Sequence, residues 1–304
     1  MSSQATAAAP TTTPPASTQP PDTSAEGRRS SRRTRRHGRL QRVRTTLISL
    51  VVLILLWWFV TAAGLVQPLF LPSPGAVWSA FVQANSCRPV TDDASRWACG
   101  EQGYFLWEHL AHSLRRIAIG VGAGAVVGVA LGVLLGAFRP VREIVEPYLH
   151  FLRALPPLGY IGLLIVWFGI GDTSKIWLLF LAAFPPIAVA TMQGVQGVQV
   201  TRVNAARSLG ATRWQVMRHV TIPSALPDVI GGIRIATGFT WTTVVAAELN
   251  NGIPGIGGLA YVSGTQLQTP LTIACIIVIG LAAVGLDALI AALGRVATPW
   301  QGRA

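Results

Sequence analysis

The apolar runs decide the class of this chain before any motif is considered. Leu47–Gly64, Ile117–Phe138, Ile176–Val195, Val229–Leu249 and Leu271–Leu293 each approach or exceed the ~20 residues that cross ~30 Å of hydrocarbon. A further stretch, Ile144–Gly169, holds Arg153 and Pro156-Pro157 ahead of GYIGLLIVWFG. It reads as an inner-surface helix, a Pro-Pro break and a span that is short or tilted. Backbone N–H and C=O groups find no partner in lipid, so runs of this length must be helical. Only 12% of residues are charged, against the ~25% usual in soluble domains. The expected fold is therefore all-α: a polytopic membrane protein with six transmembrane helices.

Charge placement orients those helices. Of 24 Lys and Arg residues, nine lie between Arg28 and Arg44, directly before the first run. With both termini inside, 18 basic residues fall on inner segments and five on outer ones, leaving Arg234 near an inner helix end; such an excess marks the cytoplasmic side. The net charge of +12 thus reads as a topology signal and an attraction to anionic lipid. No nucleic-acid partner is expected, since no basic surface interleaved with aromatics exists outside the tail. Residues 1–27 are rich in Ala, Thr, Pro and Ser and cannot bury enough apolar surface to offset chain entropy. Residues 1–44 read as a disordered, Arg-rich cytoplasmic tail, too polar for a secretory signal, ahead of a membrane domain over 45–304.

On the outer side, LPSPGAVWSAFVQA predicts a Pro-initiated surface helix with Val77, Trp78, Phe81 and Val82 as its apolar side. An insert around 85–101 carries Cys87 and Cys99. They form a possible disulfide or two reduced thiols. Cys275 lies in an apolar run and reads as a packing residue. His109 and His112 share a helical face without a third ligand nearby, so no metal site is expected. Gly120, Gly124, Gly128, Gly132 and Gly136 recur every four residues, which predicts a helix surface packed backbone-close against another. GIGDTSK (169–175) is an outer turn, with Thr173 or Ser174 capping the next span, and Pro185-Pro186 interrupts that span.

Intramembrane ionisable residues are candidates for function. Trp241, Thr242 and Glu248 are the candidate substrate-path residues, and Glu248 either lines that path or caps the Gly-rich turn GIPGIGG at 252–258. Asp287 reads as an inner-end residue paired with Arg295 or Arg234. Catalysis by this chain is not expected. A phosphate-binding loop needs Gly-Lys-Ser/Thr, whereas the only lysine, Lys175, stands between Ser174 and Ile176. No metalloprotease helix, Gly-x-Ser-x-Gly elbow or Cys-His pairing occurs.

One polar, basic segment stands apart: Thr201–Pro223, TRVNAARSLGATRWQVMRHVTIP, which the charge count puts in the cytoplasm. Residues 201–209 predict a short helix ended by Gly210 in a left-handed conformation. Thr212 and Gln215 form a capping-box pattern for a second short helix, with Trp214, Val216, Met217 and Val220 as its apolar side. Pro223 opens the following run.

This segment resembles the cytoplasmic coupling loop of ABC-importer permeases, whose signature is Glu-Ala-Ala, three residues, Gly, nine residues, Ile, one residue, Leu-Pro. Ala205-Ala206, Gly210, Val220 and Ile222-Pro223 fall at that spacing, and Asn204 stands at the Glu position. LPPLGYIGLLIVWFGIGDTSKIWLL, SLGATRWQVMRHVTIPSALPDVIGGIRIATGFTWTTVVAAEL and TPWQG extend the resemblance over most of 45–302, to the nitrate/sulfonate/taurine branch and the taurine permeases above all. The Cys87–Cys99 insert and the long basic tail depart from that pattern.

The resemblance implies a type I ABC-importer permease fold in a bacterial plasma membrane. It implies Asn204, Ala205, Ala206, Arg207, Gly210, Trp214, Ile222 and Pro223 as ATPase-coupling residues of loop 201–223. A homodimer of this chain would join an ATP-binding subunit dimer inside and a periplasmic or lipid-anchored substrate-binding protein outside. This chain would bind no cofactor, ATP and Mg belonging to the partner ATPase. Taurine is the implied solute, with another alkanesulfonate, nitrate or a pyrimidine precursor as alternatives. A secondary transporter is the alternative from a different class; it would need its own coupling-ion site and usually internal repeats, and neither is visible.

Overall fold

The computed structural model describes residues 24–89, 97–250 and 252–300. It divides into two units, 1–59 and 60–304. Helix α1, Ser24–Ala62, contains the first run, with residues Arg44–Ala62 long and apolar enough to span a membrane. It also corrects the expectation for the tail, which was disorder through residue 44. Arg, Leu and Gln are good helix formers, and extending an existing helix adds one hydrogen bond per residue without a new nucleus. Residues 1–23 lie outside the described residues.

In the second unit α2, Pro74–Gln83, starts as expected, with the Ser73 side chain accepting from the Ala76 N–H and Pro74 in the first turn. Its apolar side is rotated from expectation. Val77 is buried, and Ala80 and Phe81 join a cluster with Leu271 and Cys275, whereas Trp78 and Val82 are exposed. A ten-residue helix has one core-facing stripe, and here it meets α11, Thr269–Ala297. Strands β1, Cys87–Pro89, and β2, Trp97–Cys99, form an antiparallel hairpin that places Cys87 opposite Cys99. The two thiols are joined as a disulfide, so of the two readings the bonded one is observed.

Helices α3, Leu106–Ala137, and α6, Asp172–Gln196, make the backbone-close pair that the glycine repeat predicts. A Cβ added at Gly128 would meet the Phe184 carbonyl oxygen at 2.8 Å, and one at Gly132 the Ala188 carbonyl oxygen at 2.5 Å. Small residues at four-residue spacing thus let the two backbones approach where any larger side chain would separate them. Gly132→Val is therefore expected to destabilise the detergent-solubilised protein by about 1–3 kcal/mol or more, the usual cost of overpacking. Gly122→Val, at a position with open space around it, is expected to leave the thermal melting point within error of the parent.

Between these helices lie α4, Arg139–Ala154, a 3-10 turn at Pro157–Tyr160, and α5, Ile161–Phe168. The chain bends by 94° at the Pro156-Pro157 break. The 3-10 turn and α5 together rise only ~20 Å, so extended residues at 155–156 and 169–171 must supply the rest of a crossing. The third span is short, as its sequence predicts. Among the described residues, five helices, or six spans counting this bent pair, meet the length and hydropathy needed to cross a bilayer. The cap of α6 differs from expectation. Gly171 is the capping residue, and the Ser174 hydroxyl donates back to its carbonyl at 3.0 Å.

Helix α7 is Val200–Ser208 and α8 is Arg213–Val216. A π turn at Met217–Thr221 joins α8 to α9, Ile222–Glu248. The second helix of the loop therefore does not end; it runs into the next span. Pro223 has no N–H to give to the carbonyl four residues earlier, and the wider turn accommodates the gap, with the Ile222 N–H reaching the Met217 carbonyl. Helix α10, Ile256–Thr265, precedes α11. The core between α3, α6 and α9 is built from Ile117, Val121, Leu179, Ala183, Ile187, Ala236, Trp241 and Val244.

Candidate functional site

Two arrangements stand out, one on the loop between α6 and α9 and one at the opposite end of α9. The loop is built around a helix stop. Leu209 ends α7, Gly210 adopts φ +83°, the Gly210 N–H bonds the Arg207 carbonyl at 2.9 Å, and the Ala211 N–H bonds the Ala206 carbonyl at 3.1 Å. These are the paired bonds of a Schellman motif, in which the residue after the helix is left-handed. They explain the spacing physically: Ala206 supplies the carbonyl that the outer bond of the motif closes, and the left-handed glycine falls four residues after it. The second helix begins with the expected box, the Thr212 hydroxyl accepting from the Gln215 N–H at 3.3 Å and the Gln215 side chain accepting from the Thr212 N–H at 2.8 Å.

This turn holds apolar side chains in the open. Leu209 is 90% exposed and Trp214 70%, flanked by the exposed Arg202, Arg207, Arg213 and Arg218. Of the expected apolar side of the second helix only Val216 is buried, so Trp214 belongs to the outward surface. Asn204, Ala205 and Gly210 are also exposed, Ala206 and Pro223 are half-buried, and Ile222 is 39% exposed. A rigid, basic, apolar-tipped knob is the form of a docking element whose anchor is a large aromatic residue.

At the other end of α9, Glu248 is fully buried. Its Oε1 accepts from Arg116 Nη1 at 2.6 Å and from the Ser113 hydroxyl at 2.7 Å, and its Oε2 accepts from the Gly257 N–H at 2.8 Å. The Ile256 N–H donates to Ser113 Oγ at 3.0 Å, and the Gly255 N–H to His109 Nδ1 at 3.1 Å. Since His109 Nδ1 accepts, its Nε2 carries the proton and donates to the Glu101 carbonyl at 3.1 Å. The N–H groups opening α10 are thus satisfied by three side chains from other helices, one of them an anion at the positive end of the helix. Arg116 completes the clamp by donating to Asp172 Oδ1 at 2.9 Å through Nε and to the Pro254 carbonyl at 2.8 Å through Nη2.

Glu248 is therefore the cap of the 252–258 turn, and its reading as a path-lining carboxylate is corrected. A carboxylate holding a guanidinium, a hydroxyl and a backbone N–H in a buried site is neutralised where it stands. The glycines of that turn exist for close approach: a Cβ on Gly257 would sit 3.0 Å from Glu248 Oε2, and one on Gly258 2.8 Å from the Gly252 carbonyl carbon. Trp241 is likewise in the core rather than on a path, while Thr242 is exposed and donates to the Phe239 carbonyl. Asp287 is ion-paired as expected, and of the two candidate partners it is Arg234, in two bonds of 2.8 Å. His109 and His112 join no cluster of three metal-ligating residues among the described residues.

Sequence reasoning missed Arg116, Ser113 and Asp172, and saw His109 only as a metal-ligand candidate rather than as the acceptor for the Gly255 N–H. A signal was available for the first, because a carboxylate within an apolar span needs a cation, and Arg116 opens the apolar run of α3.

Comparison with known proteins agrees with this geometry. Residues 124–299 match the family model of the binding-protein-dependent transport system inner membrane component. The chain is 40% identical to the taurine transport system permease protein TauC of Escherichia coli, over 80% of this chain and 84% of that one. It is 33% identical to the putative aliphatic sulfonates transport permease protein SsuC of Bacillus subtilis, over 64% of this chain and 71% of that one. In fold it is similar to a chain from inward-facing MetNI methionine ABC transporter, with a TM-score of 0.52 and 24% identity, covering 65% of this chain and 97% of that one. By sequence match, helical architecture and loop geometry together, the chain belongs to the family of binding-protein-dependent transport system inner membrane components, the permease subunits of ABC importers.

Proposed function

We propose that this chain forms the translocation path for taurine. Two copies pair in the membrane, an ATP-binding subunit dimer docks on their 201–223 loops, and a substrate-binding protein delivers the solute from outside. The observation that carries the substrate is the 40% identity to a taurine transport permease, sustained over 84% of that protein. The partners are supported by the exposed Leu209 and Trp214 on a fixed, basic turn, a surface that the other described residues leave uncovered.

In this reading both termini and the 201–223 loop are cytoplasmic, by the basic-residue excess. The chain lies in a bacterial plasma membrane. ATP and Mg belong to the partner ATPase, because the chain offers no Gly-Lys-Ser/Thr for a nucleotide. ATP binding draws the two ATPases together, the docked loops follow, and the short rigid turns pass that displacement into α9 through the π turn. Hydrolysis reverses the movement, giving alternating access driven by a partner.

The test is competition for uptake in proteoliposomes holding the permease, its ATPase and its binding protein. Labelled taurine should accumulate, and unlabelled taurine should compete more strongly than nitrate or ethanesulfonate. Accumulation of ethanesulfonate with no uptake of taurine would replace taurine by an alkanesulfonate lacking the amine.

A further inference from the structure

Between α2 and α3 the chain makes a closed excursion on the outer side of the domain. Its base is fastened where the Leu106 N–H bonds the Ala84 carbonyl at 3.1 Å. Both residues are buried, in one cluster with Ile256 and Leu259 of α10 and Leu271 and Cys275 of α11. Above the base, the Cys87–Cys99 disulfide joins β1 to β2, and the Gly100 N–H bonds the Ser86 carbonyl at 3.1 Å. Gly100 is left-handed at φ +65°, and a Cβ there would collide with the Tyr104 carbonyl. Glu101 and Tyr104 then exchange two backbone bonds, of 2.9 and 3.1 Å, around Gln102 and Gly103, left-handed at φ +54° and +82°. Such a two-residue turn fixes the register of its flanks. The Glu101 side chain is fastened as well, accepting from Arg88 Nη2 at 2.8 Å.

What the excursion holds in place is the Glu101 carbonyl, and that carbonyl holds His109. By accepting from Nε2 it sets the ring's orientation and leaves Nδ1 bare to accept from the Gly255 N–H. His109 is fully buried, so a ring turned otherwise would leave that N–H unpaired away from water. The hairpin thereby reaches α10, whose ten residues rise only ~15 Å, too little to cross the bilayer. Helix α10 packs against α3, α9 and α11. Its Gly257 N–H is bound to Glu248 at the end of α9, the helix that the docked loops drive.

We propose that the disulfide-closed hairpin is a strap that keeps α10 seated at the outer end of the path, with His109 as the positioning residue between them. When α9 is displaced, α10 is drawn with it, and the His109 bond to Gly255 resists its parting from α3. The strap sets how readily the outer end opens and keeps it shut until the partner drives it. The assignment rests on the reading that a separate ATPase moves α9 through the loops.

Ser263 of α10 is 1% exposed and its hydroxyl lies 2.9 Å from that of Thr272 on α11. A Ser263→Cys thiol therefore reports whether α10 leaves α11. In the assembled importer carrying this change alone, maleimide labelling of residue 263, read by peptide mapping, should be slow without ATP. It should rise when ATP and the loaded binding protein are added. Adding Cys87→Ser and Cys99→Ser should raise the ATP-free rate about tenfold, the effect of one buried N–H left unpaired. His109→Phe should raise it as much, and all three changes together should do no more than either, because they act through one bond. Gly132→Val, which strains the α3–α6 contact instead, should leave the rate unchanged. If the serine pair does not reach the membrane, dithiothreitol applied to the assembled importer makes the same comparison, since mapping separates residue 263 from 87 and 99. A rate indifferent to loss of the disulfide, effects that multiply in the combined variant, or an equal rise in Gly132→Val would each overturn the strap and leave the proposed function standing. A rate that ATP and the binding protein do not change would overturn the loop-driven movement of α9, and the strap's part in it.

Discussion

Gly210→Val is expected to abolish assembly with the ATP-binding subunit while the chain still inserts in the membrane. Gly210 sits at φ +83° with nothing within 4 Å of an added Cβ, so the damage is conformational rather than steric crowding within the chain. A left-handed residue with a Cβ costs about 1–2 kcal/mol, and a β-branched one is disfavoured further. The loop can escape that cost by unwinding the end of α7, which breaks the Ala211-to-Ala206 bond and swings Leu209 relative to Trp214. Pull-down of the ATP-binding subunit should fall to background, and Gly210→Asn, which tolerates the left-handed region, should retain a large part. Asn204→Glu should be tolerated, since residue 204 is exposed and a carboxylate there displaces nothing. Full assembly of Gly210→Val would remove the loop as the docking element.

Breaking the buried clamp should be the most destabilising single change in the membrane domain. Glu248→Ala leaves Arg116 buried with only Asp172, itself about half-exposed, as counter-charge, and strands the Gly257 N–H and Ser113 hydroxyl. Removing one member of a buried ion pair costs about 3–5 kcal/mol. The thermal melting point in detergent should drop steeply for Glu248→Ala and for Arg116→Met. The double variant should be far less destabilised than the sum of the two, the mark of directly coupled residues. A path-lining carboxylate behaves differently: Glu248→Gln would change uptake with stability untouched. Additive losses, or unchanged melting with altered uptake, would contradict the clamp.

These two sites were unequally legible in the sequence. The loop was readable because everything that shapes it is local: Ala206, Gly210 and Ala211 interact across five residues, and Thr212 with Gln215 across three. The glycine repeat of α3 was readable for the same reason, as a period, although it did not name α6 as its partner. The clamp was not readable, because Arg116 and Glu248 are 132 residues apart and His109 meets Gly255 across 146. No periodicity carries that information. Glu248 alone was visible, as an acid in an apolar run, and its environment decided between the two roles open to it. The orientation of α2 and of Trp214 failed differently: each short helix has several apolar residues, and only packing selects which of them turn inward. In the tail, polar composition argued for disorder, while continuity with the α1 span and good local propensity give helix from Ser24.

The central claim is that this chain moves solute only when a separate ATPase drives its loops. Proteoliposomes should therefore be prepared with the permease alone and with its ATPase and binding protein, and taurine uptake followed with and without ATP and under imposed proton and sodium gradients. The account predicts uptake only in the complete complex with ATP, and none from either gradient. Gradient-driven accumulation by the permease alone would contradict it and make the chain a secondary transporter.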